Sequence, residues 1–132
     1  MNPFYNKKGE PIGYFAHDDS SIFSLEGLPL GYLEEESIYS FNGDHLGWFI
    51  DGWITDHKGQ AVFFTKDAPG GPFKPSVKIL PNLCNQRALP NKNIKKIPPS
   101  VRPTLSRKWT PDDSSFFADL PVETFIKENF LK

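Results

Sequence analysis

The residues of this chain whose types and spacing could support acid–base or metal chemistry are its histidines. His45 follows Asp44 and His57 follows Asp56, and each histidine lies beside a predicted turn. Imidazole nitrogens bind Zn²⁺ and act as general bases, so one interpretation is a site between the two turns. In the other interpretation both residues, like His17, are exposed turn residues. Because exposed turn histidines are the commoner case, we expect no catalytic residue and no metal ligand.

A single cysteine and three acidic segments are the remaining chemical candidates. Cys84 has no neighbouring histidine or helix N-terminus in the sequence that would activate its thiol, so we expect an inert cysteine. Asp18–Asp19, Glu34–Glu36 and Asp51 could form a cation-binding rim if the segments that carry them close into a ring. Solvated turns explain these acids more simply. The glycines do not follow the GxGxxG spacing of phosphate-binding loops, so we expect no cofactor and no enzyme activity.

The elements that would position these residues are indicated by a repeat across residues 4–65. Its four copies align on turn glycines that are 18, 16 and 16 residues apart, namely Gly9, Gly27, Gly43 and Gly59. An Asn, Ser or Asp stands three residues before each glycine, as is favoured at the first position of a type I turn. A type I turn followed by a glycine with positive φ makes a G1-bulge hairpin. The repeat therefore predicts four β-hairpins.

Alternation along the predicted strands gives every hairpin one apolar face. On this face we expect Phe4, Ile22, Ile38 and Ile54 opposite Ile12, Leu30, Leu46 and Val62, together with Tyr14, Tyr32, Trp48 and Phe64. The opposite face carries aromatic residues diagonal to Gly13, Gly31 and Gly47. Either the aromatic rings cover these glycines, or the glycines allow neighbouring hairpins to approach closely. The fourth copy departs from the pattern, with Thr55 and Phe63 at these positions. Since one hairpin alone is marginally stable, the four are expected to associate around an axis.

The sequence also resembles the four-fold beta-flower family of bacterial proteins over residues 3–75. The resemblance rests on the hairpins, on the segment 46–53 and on the segment 67–72 followed by further prolines. It implies four hairpin petals around a pseudo-fourfold axis, in a family with no established biochemical activity. Trp109 through Phe117 is similar to the tryptophan-containing helix with paired phenylalanines near the end of family members.

The second half of the chain is rich in proline and basic residues. Proline fixes φ and removes a hydrogen-bond donor, so residues 69–108, which we call the arm, are expected to be extended. Thr110, Pro111 and Asp113 match a helix N-cap, a first-turn proline and a capping box, which predicts a short helix to about Ala118. A second helix is predicted to begin near Pro121. The expected fold is thus mostly β: a four-hairpin flower or small closed array (1–68), the extended arm (69–108) and short C-terminal helices (109–132).

Charge is divided unevenly between the two halves. Residues 1–66 contain 4 lysines and 10 acids, whereas residues 67–132 contain 11 basic residues and 6 acids. We expect the basic half to lie on the acidic half of the same or a neighbouring subunit, because its basic residues are too scattered for a nucleic-acid site. No apolar run approaches the ~20 residues that a membrane span requires. With no signal-peptide pattern either, a cytoplasmic protein is expected.

These features favour a structural or protein-interaction module over an enzyme. About 66 residues of hairpin make a poor independent core, so homo-oligomerisation or binding to a protein partner through the arm and the aromatic tail is expected. The candidate contact residues are Trp48, Trp53, Trp109, Phe116 and Phe117. The alternative is a module that binds a small cationic ligand or a sugar between the aromatic side chains of adjacent hairpins.

Overall fold

A computed structural model describes residues 1–117 of the chain. The strands are β1 (Asn2–Tyr5), β2 (Pro11–Phe15), β3 (Ser21–Ser24), β4 (Pro29–Glu34), β5 (Ser37–Tyr39), β6 (His45–Ile50), β7 (Trp53–Thr55) and β8 (Ala61–Thr65). Each strand pairs antiparallel with the next, and β8 pairs with β1, so the sheet closes into a barrel. The prediction of a mostly β fold with four hairpins in a closed array is confirmed.

The four hairpin turns share one geometry, which follows from their residues. We number the hairpins 1 to 4, from β1–β2 to β7–β8. In hairpin 1, the amide of Gly9 donates to the carbonyl of Asn6 at 2.9 Å, and the Asn6 side chain accepts from the amide of Glu10. The turn glycines have φ between 78° and 94°, a region that a Cβ disfavours. The strand register slips beside each turn, as a G1 bulge requires.

These bulges change which side chains face the barrel interior. Phe4 pairs with Gly13 rather than with Ile12, and the alternation along β2 is displaced accordingly. The expectation that Tyr14, Tyr32, Trp48 and Phe64 share the core face is therefore wrong, because all four lie on the outer face. The buried interior consists of Phe4, Phe15, Ile22, Leu30, Ile38, Ile54, Val62 and Phe63.

The strand glycines face this interior and bring neighbouring hairpins together. A Cβ built on Gly13 would lie 2.5 Å from the carbonyl oxygen of Phe23 in hairpin 2, and one on Gly31 would lie 2.6 Å from that of Tyr39 in hairpin 3. The neighbouring hairpins thus approach closely at these glycines. Aromatic rings also lie against them, but the rings are those of Phe4, Phe117 and Phe116 and not the expected ones on the opposite face.

The chain after residue 108 returns to the barrel without forming a helix in the described residues. The amide of Thr110 donates to the carbonyl of Ala61 at 2.8 Å, beside a parallel bridge between Ala61 and Trp109. Asp112 accepts hydrogen bonds from the amide and hydroxyl of Ser114, which favours a local turn. The predicted helix from Thr110 is thus replaced over residues 110–117 by an extended bridge and a turn. The helix predicted near Pro121 lies outside the described residues.

The arm has neither helix nor strand, and it crosses the four hairpin turns in order. Amides of the arm donate to the carbonyls of the turn glycines at 2.8 Å in every case: Lys78 to Gly9, Arg87 to Gly27, Lys96 to Gly43 and Ser106 to Gly59. The carbonyl of the arm residue two positions earlier lies against the same glycine. The arm therefore repeats one backbone contact at steps of nine, nine and ten residues.

Candidate functional site: the seams between hairpins and the arm that covers them

Adjacent hairpins meet at four seams, which carry most of the outward-facing aromatic residues. We number them seam 1 (β2–β3), seam 2 (β4–β5), seam 3 (β6–β7) and seam 4 (β8–β1). Three seams contain a pair of aromatic rings with centroids 5.7–5.9 Å apart: Tyr14 and Phe23, Tyr32 and Tyr39, and Tyr5 and Phe64. All six side chains are buried. They form an aromatic layer outside the barrel wall.

Side chains of the arm pack on this layer. Leu83 contacts the aromatic pair of seam 1. In seam 2, the ammonium of Lys92 lies 4.2 Å from the centroid of the Tyr32 ring, and that of Lys95 lies 5.6 Å from the centroid of Tyr39. Cations over aromatic faces are attracted by the ring quadrupole. In this seam, the place that a cationic ligand would occupy is thus held by lysines of the chain itself.

The five candidate contact residues all pack within the chain. Trp53 is fully buried, its indole Nε1 donates to the carbonyl of Pro69 at 2.7 Å, and Trp109 packs against its edge. Trp48 is buried in seam 3. Phe116 and Phe117 close one end of the barrel, where both contact Phe63. The structure brings Trp53 and Trp109 together and separates them from the phenylalanine pair.

Seam 3 is built differently from the other three. Thr55 stands opposite Trp48 where the other seams pair two aromatic residues, and two imidazoles pack on Trp48. His45 Nδ1 lies 2.9 Å from His57 Nε2, and His45 Nε2 lies 3.0 Å from Ser37 Oγ. His57 is exposed, but His45 is only 8% exposed. The interpretation of both histidines as exposed turn residues is therefore wrong for His45.

The environment of His45 fixes its charge at neutral pH. Burial, and secondarily the neighbouring His57, lowers the pKa of His45 from 6.5 to about 4, because desolvation disfavours the charged form. A neutral imidazole has one N–H and one lone pair. Either Ser37 donates to Nε2 and Nδ1 donates to His57, or His57 donates to Nδ1 and Nε2 donates to Ser37. The three side chains can therefore relay a proton or present a lone pair.

Ion pairs join the arm to the acidic hairpins. Among the described residues these pairs are Lys78–Glu10, Lys95–Glu34, Lys96–Asp44 and Arg102–Glu36. The prediction that the basic half lies on the acidic half thus holds within one chain. Exposed pairs of this kind contribute only about 0–1 kcal/mol each, so they orient the arm more than they stabilise it.

The acidic turns that connect the hairpins do not converge into a cation site. Asp19, Glu35 and Asp51 are exposed and have φ of 59°, 55° and 52°. Within residues 1–117, no group of three or more His, Cys, Asp or Glu side chains is arranged to hold a metal ion. Over the same residues, no helix has the length and apolar character needed to cross a membrane.

Sequence reasoning missed the repeat in the arm. Pro81, Pro90 and Pro99 are nine residues apart, and each stands three residues after an amide that binds a turn glycine. The basic residues Lys78, Arg87 and Lys96 have the same spacing. Individually the prolines indicate only an extended segment, whereas their nine-residue period is the signal that predicts a repeated contact.

Comparisons with known proteins give a family assignment. Neither the curated proteins nor the solved structures include a significant match to this chain. The model of a family described as "4-fold beta flower protein" matches residues 2–118, which extends the similarity through the arm to the Phe116–Phe117 pair. The chain therefore belongs to the 4-fold beta flower family.

Proposed function

We propose that this domain is a structural module that self-associates through the outward face of its arm. The observation that carries the proposal is the distribution of exposed apolar side chains. Six of the seven large apolar side chains that are exposed among the described residues lie in the arm, and five of them are 75–94% exposed: Phe73, Ile79, Ile94, Ile97 and Val101. Single exposed apolar residues are ordinary on a protein surface, but a series along one segment favours an interface.

The aromatic residues that the sequence predicted as contact residues are not exposed to a partner. Trp53, Trp109, Phe116 and Phe117 already pack within the chain. The apolar area available to a partner therefore comes from the arm, chiefly from Ile94 and Ile97, which flank two lysines at the tip of hairpin 3.

Charge complementarity favours a second copy as the partner. In a barrel of consecutive antiparallel strands, the hairpin tips lie at one end and the turns that connect the hairpins lie at the other. The arm crosses the tips with its lysines, and the connecting turns present Asp19, Glu35 and Asp51. These three acids take part in none of the ion pairs among the described residues. Basic arm residues already pair with Glu34 and Glu36 on either side of Glu35, so Asp19, Glu35 and Asp51 are the acids that remain for basic residues of a second copy in a head-to-tail contact.

Sedimentation velocity over a range of protein concentrations tests this proposal. The double variant Ile94→Ser, Ile97→Ser is expected to weaken self-association at least ~10-fold, since burying one isoleucine contributes about 1.5–3 kcal/mol. Glu35→Lys is expected to weaken it as well, whereas Glu26→Lys makes the same charge change at a hairpin tip and is the matched control.

Two results would overturn the proposal. One is a wild-type protein that stays monomeric at the highest concentration reached. The other is equal association for Glu35→Lys and Glu26→Lys together with no effect of the isoleucine variant. Circular dichroism of each variant confirms that the barrel is intact, because all four substituted side chains are exposed.

A further inference from the structure

Seam 3 contains two histidine nitrogen atoms within reach of a single metal ion. Zn–N bonds of 2.0–2.1 Å at a tetrahedral angle place two ligating nitrogens roughly 3.3 Å apart. His45 Nδ1 and His57 Nε2 are 2.9 Å apart and their ring centroids are 5.1 Å apart, so the two rings point at each other nearly head-on across a shared proton. For both lone pairs to converge on one ion, the His57 nitrogen has to move roughly 2 Å away from this line. His57 belongs to an exposed turn, so its side chain is the one that would shift and reorient to ligate the ion.

The surroundings of His45 support ligation through Nδ1. When a histidine binds a metal through one nitrogen, its other ring N–H usually donates to a fixed acceptor that orients the ring. Ser37 Oγ occupies that position at 3.0 Å from Nε2. The edge of Trp48, whose ring centroid is 4.9 Å from that of His45, restrains the imidazole from a second direction.

The geometry points to a binding site for one divalent first-row transition-metal ion, Zn²⁺ or Cu²⁺, between His45 Nδ1 and His57 Nε2. Neutral imidazole suits both ions, and the affinity order of such sites places Cu²⁺ above Zn²⁺. The described residues supply no third protein ligand. Water therefore completes the coordination sphere on the exposed side of His57, which makes the ion exchangeable rather than permanently held.

A bound ion would connect the two hairpins whose seam lacks the aromatic pair found in the other three. His45 begins β6 in hairpin 3, and His57 lies in the turn between β7 and β8 of hairpin 4. The other three seams are joined by aromatic pairs, whereas seam 3 has Thr55 at the corresponding position. An ion that binds only the folded protein raises its unfolding temperature in proportion to the logarithm of the ion concentration.

The test uses the full chain after removal of metal with EDTA and dialysis. Zn²⁺ and Cu²⁺ are titrated separately by isothermal calorimetry, and thermal unfolding is recorded with and without each ion. We expect one equivalent to bind, with a higher unfolding temperature. We expect His57→Gln to abolish the binding and the shift, and Ser37→Ala to weaken binding by about 10-fold or more, as loss of a ligand-orienting partner does. Because His57 is exposed, its substitution leaves the fold intact, and unfolding without metal verifies this.

His17→Gln is the matched control, since it removes the remaining histidine. His17 Nδ1 lies 3.2 Å from the terminal amine of Met1, which makes this pair the competing candidate for metal binding. Retained binding in His17→Gln together with loss in His57→Gln supports the site in seam 3. Loss in His17→Gln with retention in His57→Gln overturns it and assigns the ion to the terminal amine. An absence of binding by wild-type protein at millimolar metal overturns it equally.

Discussion

Gly43→Ala is the substitution that best isolates the contact between the arm and the barrel. Gly43 has φ of 94°, and a methyl group at this position would overlap the carbonyl oxygen of Ile94. That oxygen is backbone, so rotation of a side chain cannot relieve the overlap. The arm must move away locally, and the hydrogen bond from the amide of Lys96 to the carbonyl of Gly43 is lost with it.

The free energy of unfolding that Gly43→Ala is expected to lose has two parts, and comparison with a substitution at a second glycine separates them. Placing a Cβ at positive φ costs about 1–2 kcal/mol. Losing the hydrogen bond and the local packing of the arm adds about 1–2 kcal/mol. Gly70 has φ of 64°, and a Cβ built there has no atom within 4 Å. Gly70→Ala therefore loses only the free energy of placing a Cβ at positive φ. We expect Gly43→Ala to be about 1–2 kcal/mol less stable than Gly70→Ala.

The assay is urea unfolding followed by tryptophan fluorescence, with hydrogen exchange at the Lys96 amide as a local readout. Gly43→Ala is expected to lower the free energy of unfolding by about 3 kcal/mol and to speed exchange at Lys96. If both variants lose the same free energy, and exchange at Lys96 is unchanged, the arm contact does not stabilise the barrel and this reasoning fails.

Three further perturbations test the packing and the electrostatics. In metal-free protein, the pKa of His45 falls from 6.5 unfolded to about 4 folded, so its contribution to stability is complete above pH 6.5 and is lost as the pH falls towards 4. We expect a loss of about 1–2 kcal/mol after allowing for water at the exposed His57; an equal loss in His45→Gln would assign the effect to other groups. Phe63→Ala removes the ring that contacts Phe4 and Phe117 and is expected to cost about 3–5 kcal/mol in thermal unfolding; a cost below that of an exposed substitution would contradict the core assignment. Trp53→Phe leaves the carbonyl of Pro69 without its donor, which should cost about 1–3 kcal/mol; unchanged urea unfolding would show that water replaces the indole.

The hairpins could be predicted from the sequence because their determinants are local. Asn6 and Gly9 lie three residues apart, and the turn they form depends on no distant contact. The inner face could not be assigned as easily, because a bulge exchanges the two faces of the strand that follows it. Phe4 therefore pairs with Gly13, and the tyrosine of that strand, Tyr14, moves to the outer face.

Contacts that a segment makes through its backbone are harder to predict from the sequence than hairpin turns, because they do not require a particular side chain. The arm binds each turn glycine through its own amide and carbonyl, so the residue at the amide position can be Lys78, Arg87, Lys96 or Ser106. Only the prolines between these contacts and the basic residues at three of the four amide positions recur every nine residues. The capping signal at Thr110 was misleading for a related reason, because tertiary contacts outweigh local helix preference. Its amide binds Ala61, and the aromatic residues that follow pack on the barrel.

The two departures of hairpin 4 from the repeat explain why this barrel is not symmetric. In hairpins 1 to 3 the strand glycine lets the next hairpin approach, whereas hairpin 4 has an aromatic ring at the corresponding position, which joins the other interior side chains. Phe63 supplies that ring, and its face is the surface on which Phe117 stacks, 4° from parallel. Thr55 stands in place of the second aromatic residue of seam 3, where His45 and His57 pack on Trp48. Phe63 and Thr55, the two exceptions to the repeat, thus lie where the contacts of seam 3 and of one end of the barrel differ from those of the rest. A substitution that restored the repeat, such as Phe63→Gly, would remove the surface that receives the chain after the arm.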